Sequence, residues 1–534
     1  MKSIKIFSVC LAAVLGLSSC ASSWLDQELT GSTLTQEEYN SMSDVAVGTV
    51  KGIYAAMYAY GSGHDEFGQK CIDLGSDLVS SDLAMTAQAY GWFVTDAQRL
   101  TAYRTSYIWS YYYGMIMNAN AVMRSLDKKS TMTAEEQGAY AQALAIRGFC
   151  YYSLANYYGP ASADITTPSV YGRKGKHLDF DLAPIYTQND TTEAGLVRER
   201  PLSTYKEVRE FANQDLSKAI EMFEECGYAR SSKLFFDGTL TRAIYAYNNL
   251  QFAAMYEAVD MAKAEEYYQN AYENAVEIIE SGEYEILPRA DVLTTGFTDV
   301  NNNSWMWGLD VTMENSTGLA TFWGHMDIYT YSYAYAGATK GCDQLLMDEF
   351  KALSPNDIRI QWFDSTQKYI PNGKFYDHDG KKSVLAGGTD IDRDWRNDDV
   401  FMRIEEMYLI AAEAACGLSN AASAKYYMNE LLCERTNFAN DDAINAALTT
   451  QWVESWSNSD LIKQIYYNWR IELFAEGRAL ITFKRFDKNG AEYSQKKRGS
   501  NHFSQSGNDM KAEDYAILYI MPSSESSYNN EIND

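Results

Sequence analysis

Arg403-Ile404-Glu405-Glu406-Met407-Tyr408-Leu409-Ile410-Ala411-Ala412-Glu413-Ala414 is the stretch whose periodicity decides the fold class. Phe401, Ile404, Met407, Tyr408, Ala411 and Ala415 recur at the spacing of one helix face, because side chains three and four residues apart stack on the same side of an α-helix. Glu405, Glu406 and Glu413 alternate with that face, where they can cap, pair or solvate the helix. Gly417 is expected to stop it, since glycine enters the left-handed conformation without strain. Ser419 or Asn420 can then cap a second helix carrying Ala424, Met428, Leu431 and Leu432.

The same pattern recurs upstream. Val208, Phe211, Ala212, Ala219, Ile220 and Phe223 share one helical face, as do Ala264, Tyr267, Tyr268, Ala271, Ala275, Ile278 and Ile279. Residues 240–258 form another helical stretch before the latter, and Gly282 ends the pair. Helix pairs of roughly 34 residues with small residues at their contacts suggest tetratricopeptide-like units, although the exact consensus is absent. The expected fold is therefore mainly α, with a helical scaffold over about 39–158, 200–285 and 400–490. Residues 159–200 are polar and aperiodic, and residues 286–399 are richer still in Gly, Asn, Asp and Thr. Irregular segments that long inside a compact chain carry function or are disordered. Trp305, Trp307, Trp323 and Trp362 argue for an ordered, loop-rich insertion packed on the scaffold, where a binding surface would lie.

The chain opens with Lys2 and Lys5 followed by the mostly apolar run Ile6 to Leu17, the form of a cleaved export signal. Leu17-Ser18-Ser19-Cys20 looks like a bacterial lipobox, which gives a signal peptide 1–19 and a single domain 20–534 tethered through an acylated Cys20. Several acyl chains would anchor it stably, each buried CH₂ adding roughly 0.8 kcal/mol. A net charge of −27 repels a phosphate backbone and argues against nucleic acid as a partner. Cys71, Cys150, Cys226, Cys342, Cys416 and Cys433 are scattered with no C-x-x-C pair, so a zinc cage is not expected. Cys150 and Cys416 fall in apolar helical patterns and read as buried thiols. The five His residues show no metal-ligand spacing, and no G-x-S-x-G elbow or phosphate-binding glycine loop is present. No catalytic residue, metal or cofactor is assigned. Asp390, Asp392 and Asp394 alternate like a calcium loop, but Trp395 and Phe401 stand where its glycine and bidentate glutamate belong, so a solvated acidic loop is expected.

Several stretches taken in order carry a family resemblance. They are Ser23-Trp24-Leu25-Asp26, Arg147-Gly148-Phe149-Cys150-Tyr151-Tyr152 running to Tyr158-Gly159-Pro160, Asp215-Leu216 with Ala219-Ile220, and Asp357-Ile358-Arg359. The 403–414 helix follows, then Arg470-Ile471-Glu472-Leu473-Phe474-Ala475-Glu476-Gly477, Phe483-Lys484-Arg485-Phe486 and Ile520-Met521-Pro522 with Glu525 and Asn529. Behind a lipobox, this series resembles the SusD/RagB family of outer-membrane nutrient-binding lipoproteins. The family's usual ending is degraded to Asn529-Asn530 and Asn533-Asp534. Arg470, Glu472 and Glu476 read as ion pairs at helical spacing within the scaffold.

The resemblance implies a SusD-like lid over a SusC-like TonB-dependent β-barrel transporter in the outer membrane of a Gram-negative bacterium. It implies capture of oligosaccharide or polysaccharide at the cell surface, with no cofactor and no bond broken, and hinged closure over the barrel. The same lid could instead take peptide or another nutrient, and a surface-anchored glycan-degrading enzyme is the remaining alternative. Family members that bind glycan build the site mainly from loops after the first helix and from the middle insertion. Two stretches fit. One runs from Asp82 to Asp96, with Gln88, Tyr90, Trp92 and Phe93 around Gly91. The other is Phe322-Trp323-Gly324-His325 followed by Tyr329, Tyr331, Tyr333 and Tyr335, whose alternation would set four rings on one side of an extended segment. The competing reading is that these rings are ordinary core, as Tyr107, Trp109 and Tyr111 to Tyr113 are expected to be.

Overall fold

The computed structural model describes residues 43–532 apart from 81, 98–101, 161–174, 176, 193–194, 198, 313–314, 317, 330, 376–396, 487–497 and 504–518. The expected signal peptide, the expected lipidation residue Cys20, the acidic run Asp390, Asp392 and Asp394, and the terminal Asn533-Asp534 lie outside the described residues. Apart from Ser43–Val45, the described residues fall in one compact unit, Ala46–Asp534.

The longer helices are α1 (Ser43–Ala56), α2 (Gln69–Ser80), α3 (Ala102–Leu126), α4 (Ala134–Tyr158), α5 (Tyr205–Cys226), α6 (Gly238–Tyr256) and α7 (Met261–Ser281). The insertion contributes the short α8 (Phe322–Met326) and α9 (Gln344–Leu353). The C-terminal part holds α10 (Glu405–Gly417), α11 (Ala421–Cys433), α12 (Asp442–Glu454), α13 (Asn458–Glu472) and α14 (Ala479–Phe486). Helices α3 to α7 each pack on the next, α7 packs on α10, and α10, α11 and α12 continue the series. The mainly α, tetratricopeptide-like scaffold is thus one stack that the insertion interrupts in sequence but not in space.

Local chemistry fixes the helix ends. Thr133 with Glu136 and Thr204 with Glu207 form capping boxes at the starts of α4 and α5, each satisfying backbone donors that the first turn leaves unpaired. Gly227 and Gly282 close α5 and α7 in the left-handed conformation. Asn420 caps α11 by accepting from the Ser423 amide. The expected stop at Gly417 is shifted: the left-handed residue is Ser419, with φ of 59°. Gly417 is the last residue of α10, and a Cβ there would come 2.5 Å from the Tyr268 ring of α7, so its missing side chain serves close packing.

Polar residues tie the stack together. Arg147 of α4 donates to Asp215 of α5 at 2.7 and 2.8 Å and to Asn120 of α3 at 2.7 Å. These residues also carry much of the resemblance. The glutamates expected on a solvated or locally paired face are all buried, and each has a cationic partner at least thirty residues away in sequence. Glu405 and Glu472 both bind Arg403 and Arg435, Glu472 also binds Arg359, and Glu476 binds Arg403 and Lys374, at 2.6–3.1 Å. Asp357 closes the network on Arg359. Four cations thus face four carboxylates, none of them exposed, in place of helical-spacing pairs. Glu413 pairs with Arg485 and Glu406 with Arg478.

Two small antiparallel pairings fix the insertion. β1 is Leu83–Met85, β2 Trp305–Leu309, β3 Lys340–Cys342 and β4 Asp399–Arg403. β2 pairs with β4, Trp305 opposite Arg403 and Leu309 opposite Asp399. β1 pairs with β3, Leu83 opposite Cys342, which brings the segment after α2 against the insertion. All four insertion tryptophans are buried. The six cysteines from Cys71 onward are free; Cys150 is buried as expected, and Cys416 is half-buried.

Candidate functional site

The turn between α1 and α2 is held by its own backbone. Gly61 N–H donates to the Glu66 carbonyl at 2.8 Å and Glu66 N–H to that of Gly63 at 3.0 Å. The Glu66 carboxylate accepts from the Ser62 hydroxyl at 2.9 Å, the Gly63 amide at 3.1 Å and the Tyr103 hydroxyl at 2.6 Å. Burial works against ionisation of Glu66, but the hydrogen bonds from Tyr103, Ser62 and Gly63 prevail and hold its carboxyl below the usual range. Arg104 of α3 anchors the turn from beneath, donating to the Asp65 carbonyl at 2.7 Å while pairing with Asp65 and Asp96.

This turn presents His64 to the rings of the other two segments. His64 stacks on Trp92 with centroids 5.2 Å apart and planes 14° off parallel, and its Nδ1 hydrogen-bonds the Tyr333 hydroxyl. Tyr60 meets His64 edge-on at 5.9 Å, and Tyr90 meets Tyr333 edge-on at 5.0 Å. Tyr60, Tyr90 and Tyr331 are 44%, 43% and 55% exposed, which makes them surface rings rather than core. Beneath them, Tyr333 stacks on His325 at 5.0 Å and His325 on Phe67 at 5.6 Å. The Nε2–H of His325 donates to the His64 carbonyl at 2.8 Å, which fixes that tautomer. Burial, with Lys340 beside it, holds His325 well below the usual imidazole pKa, and burial brings Lys340 down to about 7. The exposed rings therefore rest on a neutral, desolvated column. Phe93, left-handed at φ 61° and fully buried under the Arg104 guanidinium, anchors the loop that carries Trp92.

The predicted residues divide. Gln88 and Tyr90 are exposed and Trp92 is half-buried against the ring cluster. Asp82 is buried: Arg470 of α13 donates to it at 2.6 and 3.0 Å, so it locks the scaffold instead of meeting a ligand. Trp323 is buried on α8 between Phe322 and Phe375. Tyr329 is buried with its hydroxyl on Asn372. The tyrosine row is no strand. The chain turns back on α8, with the Tyr333 amide donating to the Gly324 carbonyl at 2.8 Å and Ser332 Oγ bonded to the Asp327 carbonyl. Tyr331 consequently points out, Tyr333 backs the cluster and Tyr335 is half-exposed. Sequence reading missed Tyr60, His64 and Tyr103. The signal was present in Tyr60-Gly61-Ser62-Gly63-His64, a ring and an imidazole set among glycines, the same pattern that singled out Trp92 beside Gly91.

What the site offers is a corner of exposed rings with hydrogen-bonding groups at its edge. A family model described as starch-binding associating with outer membrane matches residues 34–247, and the SusD/RagB model, described as the SusD family, matches residues 353–531. The chain belongs to the SusD family. That family is one of nutrient-binding proteins associated with the outer membrane. Among solved structures, the chain is similar to a SusD-like carbohydrate binding protein from Bacteroides vulgatus, with a TM-score of 0.68, 22% identity and coverage of 92% of this chain and 97% of that one. A SusD superfamily protein from Bacteroides thetaiotaomicron gives a TM-score of 0.63 at 17% identity, covering 92% and 98%. One from Bacteroides fragilis gives 0.63 at 18%, also covering 92% and 98%. At these identities the likeness establishes the SusD-like fold. No curated protein sequence matches the chain. No helix among the described residues is long and apolar enough to cross a membrane, and no group of three or more His, Cys, Asp or Glu among them could hold a metal ion.

Proposed function

We propose that this SusD-family protein is a surface glycan-binding lipoprotein that captures an oligosaccharide and passes it to a SusC-like TonB-dependent transporter. The observation that carries the reading is the ring corner. Tyr60, Tyr90 and Tyr331 stand exposed around the Trp92–His64 stack and Tyr333. A pyranose presents an apolar C–H face and a rim of hydroxyls. Rings supply large, rigid contact area, with the tyrosine hydroxyls as polar handles. Gln88 is exposed two residues before Tyr90 and can meet a sugar hydroxyl. Tyr60 meets His64, and Tyr333 meets His64, Trp92 and Tyr90, at 60–72°, so around the Trp92–His64 stack these rings form an angled cradle suited to a curved or branched chain more than to a flat ribbon. Acylation at Cys20 would hold the protein at the outer membrane, and closure over the barrel would be a rigid-body movement.

Isothermal titration of residues 21–534 against a panel of polysaccharides and oligosaccharides, with product analysis of each mixture, tests this reading. Binding without cleavage supports capture. Release of reducing sugar would replace it with a surface-anchored glycan-degrading enzyme. Binding of peptides in place of glycans would retain the lid and change its cargo.

A further inference from the structure

The segment between α5 and α6 walls a groove of about 870 Å³ that shares no residue with the ring corner. That volume is in the range of built ligand sites. Its walls are tied down by hydrogen bonds and an ion pair. Arg230 donates to the Tyr284 hydroxyl at 2.5 Å and the Phe235 carbonyl at 3.2 Å, and it pairs with Asp237 at 2.8 Å. Trp307 Nε1–H donates to the Leu234 carbonyl at 3.0 Å, and the Phe236 amide donates to the Tyr54 hydroxyl at 2.8 Å. Gly227 and Asp237, a helix C-cap and an N-cap, fix the two ends of the segment.

The chemistry of the lining selects a ligand class. Tyr228 is half-buried and tilted on Phe223 at 5.4 Å, leaving an aromatic wall. Lys233 donates to the Asn302 carbonyl at 2.7 Å, which uses one of its three protons. Asn301, Asn303 and Asp310 are exposed and also line the groove, and Glu283 accepts from Thr239 at 3.0 Å. Arg230 is neutralised by Asp237, and Glu224 shares Arg242 with Glu277. That leaves one ammonium against at least two carboxylates, which disfavours an anion. The density of polar groups disfavours an apolar guest. Alternating donors and acceptors around one aromatic wall match a neutral, hydroxyl-rich ligand.

We infer that this groove is a second carbohydrate subsite, taking a short neutral oligosaccharide independently of the ring corner. Titration of the full soluble chain with maltotetraose, cellotetraose, xylotetraose and mannotetraose tests it, in the wild type and in Trp92→Ala, Tyr228→Ala and Asn301→Trp. Asn301 is exposed, so its replacement fills the groove from the rim without touching the core. The expected result is a sugar that still binds Trp92→Ala, and whose remaining affinity falls at least tenfold when Tyr228→Ala or Asn301→Trp is added. Binding that survives Trp92→Ala and is lost with the groove variants, in a wild type holding one ligand, would support the groove and overturn the ring corner. Loss of all binding in Trp92→Ala, or groove variants with unchanged affinity and stoichiometry, would overturn the groove and leave the ring corner standing.

Discussion

Trp92 and Trp323 are the same residue type in similar sequence settings, each next to a glycine and an aromatic residue, yet they have opposite places. Trp92 lies half-buried against His64, while Trp323 is sealed between Phe322 and Phe375. Their variants should separate accordingly. Trp92→Ala should weaken glycan binding about tenfold, about 1.4 kcal/mol, with an unchanged melting curve, whereas Trp323→Ala should cost about 3–5 kcal/mol of stability. Calorimetric melting beside titration checks both, and a thermally destabilised Trp92→Ala would assign that ring to the core. Asp82 makes a sharper case. Removing its carboxylate takes from the buried Arg470 guanidinium the carboxylate it donates to, which should cost about 3–5 kcal/mol, while the folded fraction of Asp82→Ala binds sugar as the wild type does. Composition singled out rings and acids near glycines but could not say which were covered. Covering depends on β1 pairing with β3 and on α13 arriving from nearly four hundred residues further along the chain.

At the scale of elements, the helices were readable because each carries its own apolar stripe, cap and stop. The contacts among charges were not. Arg470, Glu472 and Glu476 share helical spacing, but each finds its partner on another element. The tyrosine row failed for a related reason: alternation at period two signals a strand only if a neighbouring strand pairs with it, and here the chain turns back on α8. The buried network also sets a pH response. Burial alone would raise the Glu476 carboxyl, but Arg403 and Lys374 beside it bring it down from 4.5 to about 2. A carboxyl depressed in the folded state stabilises the protein fully above its unfolded pKa and loses that contribution as pH falls toward the folded value. The Glu476 contribution, about 3 kcal/mol, should therefore be intact above about pH 5 and vanish as the solution approaches pH 2. Denaturant unfolding of wild type and Glu476→Gln across that range checks it. Their stability gap should narrow steadily on acidification, and a constant gap would mean that the carboxylate's charge is not what stabilises the fold.

Over the whole molecule, the family was legible from the order of short motifs, and the structure shows what those motifs hold together. Arg147 with Asp215, Arg359 with Glu472, and Arg403 with Glu472 are partners between different elements, so each motif is one half of a buried contact. The ring corner has no such signature, because its rings lie in loops and its outermost rings, Tyr60, Tyr90 and Tyr331, stay exposed. A net charge of −27 adds a last constraint. If the cargo were charged, affinity would depend strongly on ionic strength, since salt screens interactions beyond roughly 8 Å at physiological concentration. Ring stacking and hydrogen bonds to neutral hydroxyls carry no such dependence. Glycan affinity measured from about 0.05 to about 0.5 M salt should thus stay constant within about twofold. A tenfold fall would indicate a cationic cargo drawn to the acidic surface, and a tenfold rise an anionic one whose repulsion salt relieves. Either change would move recognition from the neutral ring corner to charged groups around it.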